Sequence, residues 1–256
     1  MTIGIGFVIG CFTSILLWKI DRTYLFFIVN KLLKKLFKKD LILEIFYFIV
    51  IIVSIIALYN IKGNEMYNFI TAFLVIDVSN NEKKNLKLQD KIHFYDSIST
   101  ISRSLLCGFI APLFFIMTFG NSFAIAYLII NKLHSIDRYV MIKILFNLFS
   151  FVPSIITQFL LYLVYLIRNK RMHIDFKGEY LVNCVKRPLL NLDIMGAYIE
   201  SVNFYYHFDD EDIHYIKSYG EYTNKIDEIC IKDYLSISYG ICILSFILFY
   251  FNIKSM

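Results

Sequence analysis

LILEIFYFIVIIVSIIALYNI, Leu41 to Ile61, decides the fold. About 20 consecutive apolar residues span the hydrocarbon core of a bilayer as one helix, which closes its backbone hydrogen bonds internally. Glu44 is the one charged residue in this stretch. It sits a turn from the start, where it can reach the basic residues just before it, and reads as structural.

Working outward, Ile3 to Ile20 reads as a first span, closed by Lys19, Asp21 and Arg22. It has no basic leader and no small-residue cleavage site, so it reads as retained. Tyr24 to Val29 leads into the lysine-rich stretch Lys31 to Lys39, where Leu32, Leu33, Leu36 and Phe37 share one helical face opposite the lysines. That is the pattern of a helix lying in the membrane interface. Met66 to Val78 is a shorter apolar piece, followed by the basic loop Ser79 to Asp96. Ile98 to Leu133 is apolar but interrupted by Arg103, Gly108, Pro112 and Phe119-Gly120-Asn121-Ser122, and reads as two short helices with a break. Asn131 to Lys143 reads as a polar connector, Ile144 to Ile167 as a long apolar segment divided by Pro153, and Leu235 to Ile253 as the last span.

These readings give an all-α, polytopic integral membrane bundle. It has broken or re-entrant helices, a single membrane domain over residues 1–256, and one polar region, 168–233, before the last span. Short basic loops stay on the cytoplasmic side. Placing Lys31–Lys39 there, with one re-entrant piece in Ile98–Leu133, puts Arg168, Lys170 and Arg171 on the cytoplasmic side too.

Composition agrees. The 256 residues are 58% hydrophobic, against about 45–50% for a typical soluble domain, and the mean hydropathy is +0.60. The net charge of +5 sits in lysine clusters beside apolar spans, which argues for a membrane surface and against nucleic acid. Five cysteines without a CxxC pair indicate neither a disulfide framework nor a zinc site. The lipid bilayer is the expected partner.

The chain has no Walker-type loop, GxGxxG or GxSxG. Arg103 lies inside an apolar segment, where a charge near mid-bilayer costs about 2.5–3.5 kcal/mol and faces a cavity or a partner unless it snorkels. Arg103 and Asn131 are the candidate substrate-binding residues. His134 and Asp137, three apart, share a helical face and form the candidate base and orienter. The run His207 to His214 is rich in carboxylates and histidines but matches no ligand spacing, so no metal site is assigned and a solvated acidic turn is expected.

One longer pattern carries a resemblance. Gly108-Phe109-Ile110-Ala111-Pro112-Leu113-Phe114-Phe115 is followed by Gly120, Ala124-Ile125-Ala126-Tyr127 and Asn131-Lys132-Leu133-His134-Ser135. Later come Phe151-Val152-Pro153, Met195-Gly196-Ala197 and Asn203-Phe204-Tyr205-Tyr206. In order and character these resemble the adenosylcobinamide-phosphate synthases of cobalamin biosynthesis (the CbiB/CobD family). The resemblance implies a bacterial cytoplasmic-membrane protein, a corrinoid substrate, amide formation between an aminopropanol phosphate and a corrinoid carboxyl, and a use for Mg2+ and ATP. Aligned on Gly108–Pro112, the family's two glutamates fall on Ser99 and Arg103, its asparagine and aspartate on Ser104 and Cys107, and a later aspartate on His134. The scaffold is thus expected with its carboxylates replaced. The alternative is a catalytically lapsed relative that binds or scaffolds in the membrane.

Overall fold

The computed structural model describes residues 4–17, 22–37, 39–61, 64–77, 94–136, 139–170, 172–174, 184, 186–201, 204–210, 213–219 and 228–255; for 94–97, 204–210, 213–219 and 254–255 it describes the backbone alone. The helices are α1 (Ile5–Leu16), α2 (Arg22–Leu36), α3 (Asp40–Tyr59), α4 (Glu65–Val75), α5 (Phe94–Leu105), a π-helical turn (Leu106–Ile110), α6 (Ala111–Phe119), α7 (Asn121–Ile136), α8 (Val140–Asn169), α9 (Pro188–Glu200) and α10 (Glu228–Ser255). Within the region read as polar, β1 (Phe204–Asp210) and β2 (Ile213–Tyr219) pair antiparallel, from Phe204 opposite Tyr219 to Asp210 opposite Ile213. This hairpin, which the sequence reading had as an acidic turn, is the non-helical element among the described residues.

Four helical stretches are long and apolar enough to cross a membrane: Asp40–Tyr59, Ile98–Phe119, Val140–Asn169 and Glu228–Ile253. The chain is a multi-pass helical membrane protein. The expected first span is shorter than the reading had it. Its described helix has 12 residues, about 18 Å at 1.5 Å per residue against a core of about 30 Å.

The described contacts gather into two compact units, Met1–Asn80 with Cys107–Ser150 and Ser245–Met256, and Asn81–Leu106 with Phe151–Leu244. In the first, α1 lies against α4 at glycine distance. A Cβ on Gly6 would stand 2.1 Å from the Glu65 carbonyl oxygen, and one on Gly10 would stand 2.5 Å from that of Phe69. Small residues four apart let helix backbones approach in this way. The Glu65 carboxylate then accepts the N–H groups of Gly4 (3.2 Å) and Gly6 (2.6 Å) and caps α1 from a neighbouring helix. Glu44 does the same for α8, accepting from Val140 N (3.1 Å) and Met141 N (2.8 Å). Its role is structural, as read, but its described partners are a helix terminus and not the lysines.

Two interruptions read from the sequence turn out differently. Pro112 has no N–H for the carbonyl four residues earlier, that of Gly108. The chain absorbs this in the π-helical turn, and the Gly108 carbonyl accepts from Asp77 N at 2.9 Å. Helix therefore continues to Phe119, and the chain breaks at Gly120, whose φ is 86°. Pro153 sits inside an uninterrupted 30-residue helix. The expected connector Asn131–Lys143 is mostly helical, with its first six residues ending α7 and its last four opening α8. Lys132 can lie inside because its Nζ bonds Asp77 Oδ2 at 2.7 Å and Thr23 Oγ1 at 3.1 Å. Arg22 is also buried, giving hydrogen bonds to the carbonyls of Leu74 (3.3 Å) and Ile76 (2.6 Å), which the end of α4 leaves without helical donors.

Candidate functional site

The second unit contains a helix with no solvent face. Of its 13 residues, PLLNLDIMGAYIE, all but Leu189 are buried, including Asn191, Asp193 and Glu200. Carboxylates inside a membrane protein are costly, pair within the protein and mark functional positions. Asp193 is 3% exposed and its Oδ2 accepts the hydroxyl of Ser99 on α5 at 3.0 Å. Three residues along α5, Ser102 shares a 2.9 Å hydrogen bond with the hydroxyl of Tyr234 on α10. Gly196 makes the approach of these helices feasible, since a Cβ there would meet Ile98 Cγ2 and the Tyr234 hydroxyl, each at 2.8 Å.

Ser99, Ser102 and Arg103 stand at i, i+3 and i+4, one face of α5. Arg103 is half-buried, and its Nη2 is a buried donor without a hydrogen-bond partner. At the far end of α9, Arg168 reaches both carboxylate oxygens of Glu200 (2.9 and 3.2 Å) and also Asp233 (2.7 Å). A forked pair of this kind gives Glu200 the partner its burial demands. The cluster thus combines a hydrogen-bonded carboxylate, three hydroxyls and a buried, unpartnered guanidinium donor. The guanidinium can hold an anion, and the carboxylate can accept from an amine or a hydroxyl.

Arg103, singled out in the sequence, belongs to this second unit. Asn131 and His134 belong to the first. Asn131 is half-buried on α7, and the His134 ring stacks on Phe146 with centroids 4.2 Å apart. Asp137 lies outside the described residues, as do Lys83, Lys84, Lys87 and Lys91, and the side chains of the run His207 to His214. The sequence reading missed Asp193 and Tyr234. A signal for Asp193 exists: a carboxylate near the centre of a largely apolar 13-residue stretch, hidden because the surrounding region was read as polar throughout.

Helices of crossing length define the class, a multi-pass membrane protein, and in its second unit charged and hydroxyl groups are buried between helices. No family model, no curated protein and no solved structure matches the chain. Among the described residues no three His, Cys, Asp or Glu side chains gather around a common metal position.

Proposed function

We propose that the second unit binds an anionic corrinoid, and that the protein works in the late, amide-forming stage of cobalamin assembly in a bacterial cytoplasmic membrane. The observation that carries this reading is the open Nη2 of Arg103 on the α5 face that also presents Ser99 to Asp193. Where the resemblance leaves serine in place of a glutamate, α9 supplies a carboxylate to the same hydroxyl. Arg103 would hold the phosphate of the aminopropanol unit. Asp193 would accept a hydrogen bond from its amine and so orient it.

The packing also favours a second reading, binding without turnover. Asp193 is 3% exposed, on a helix of which all residues but Leu189 are buried. A bacterium lacking its own synthase, given this chain and cobyric acid, separates the two. Cobalamin-dependent growth that is lost in Asp193→Asn is the result expected for the enzyme. Absence of growth with the protein confirmed in the membrane assigns it to the binding relative.

A further inference from the structure

Within the first unit, a cavity of about 360 Å3 lies beside the end of α3, the helix that buries the smallest share of its apolar window, 22%, among the four spans. This volume falls in the range of small-molecule sites, about 300–1,000 Å3. Its walls are largely apolar and aromatic, with Phe7, Leu58, Ile116, Met117 and Phe119 among them, and among the described residues no charged side chain lines it. The lining also holds the hydroxyl-bearing Tyr59, Tyr67 and Ser122 and an amide pair. Asn121 Nδ2 donates to Asn68 Oδ1 at 2.8 Å, which leaves Asn68 Nδ2 and Asn121 Oδ1 as an adjacent donor and acceptor. Gly120 precedes Asn121 with φ 86°, and nothing lies within 4 Å of the position a Cβ would take there. The left-handed turn therefore keeps this part of the lining free of side chain.

We propose that this cavity binds an uncharged amphiphile from the bilayer, an apolar chain ending in an amide or hydroxyl group. Three observations select this class. The apolar lining matches a hydrocarbon chain, and the neighbouring α3 surface, with Ile52, Val53 and Ile56 exposed, is the kind that meets lipid. The amide pair offers one donor and one acceptor, which a primary amide satisfies on both sides and a hydroxyl satisfies in turn. The described lining carries no charge, which disfavours a carboxylate or an ammonium, since an ion among those residues stays unpaired. Nothing in this proposal depends on the corrinoid reading, because every lining residue belongs to the first unit.

The test uses the full chain in phosphatidylcholine nanodiscs with a photoreactive diazirine analogue of dodecanol. Labelling is mapped by peptide mass spectrometry, with dodecanamide, dodecanoate and dodecane as competitors at pH 8. The expected result is labelling on the peptide holding Met117 to Ser122, with dodecanamide competing about tenfold better than dodecane or dodecanoate. Asn121→Leu should abolish the advantage over dodecane while labelling persists, which keeps the test informative even if a cavity-filling Met117→Trp variant fails to fold. Equal competition by dodecanoate and dodecanamide, or labelling spread evenly over lipid-facing peptides, overturns the proposal.

Discussion

Glu44, Glu65, Asp77, Asp193 and Glu200 show what this chain does with carboxylates. Glu44 and Glu65 accept backbone N–H groups at the starts of other helices, Asp77 neutralises the buried Lys132, and the buried Glu200 pairs with Arg168. Asp193 takes a serine hydroxyl. Removing one partner of a buried pair leaves an uncompensated charge, which costs about 3–5 kcal/mol. Lys132→Met is therefore expected to destabilise the protein on that scale, and Lys132→Met with Asp77→Leu to recover most of the loss. Unfolding in mixed micelles, followed by helical circular dichroism, checks both. Glu44→Gln keeps an acceptor but loses the charge at the start of α8, and is expected to cost about 1 kcal/mol by the same assay.

Among the elements, α1 and α4 depend on close backbone approach, and glycine substitution tests this directly. Gly10→Ala puts a Cβ 2.5 Å from a carbonyl oxygen and 2.8 Å from Ala72 Cβ, so a loss of about 1–3 kcal/mol is expected. Gly240→Ala, on an exposed face of α10 with nothing within 4 Å, should be neutral or stabilising by up to about 1 kcal/mol. The apolar character of α1 and α4 was read from the sequence, whereas the Gly6-x-x-x-Gly10 spacing that lets them approach was not. The long spans were legible because about 20 apolar residues admit few other structures. The details that failed were those settled by tertiary partners. Gly108 and Pro112 read as a break until Asp77 supplied the missing donor. Asn131–Lys143 read as a connector because nothing local shows that Lys132 meets a carboxylate 55 residues away. The candidate site was half legible: Arg103 was marked by its charge, whereas Asp193 needed the packing of α9 to stand out.

For the whole molecule, the four crossing-length helices predict a protein that stays with the membrane through alkaline carbonate and leaves it only with detergent. The basic residues bordering the region 168–233 predict a cytoplasmic location for it. Cys184, a free and half-exposed cysteine within it, reports on this. A membrane-impermeant maleimide should label Cys184 in inverted vesicles and leave it unlabelled in intact cells, with peptide mapping to separate it from the other cysteines.

The central claim is that the second unit holds an anionic corrinoid through Arg103, and retention of cobinamide phosphate by the purified chain in nanodiscs tests it most directly. The corrinoid absorbance that co-elutes with protein reports binding. Saturable retention by the native chain is expected, weakened at least about tenfold by Arg103→Met and unchanged by His134→Gln in the other unit. Absence of retention by the native chain, or equal retention by Arg103→Met, would contradict it.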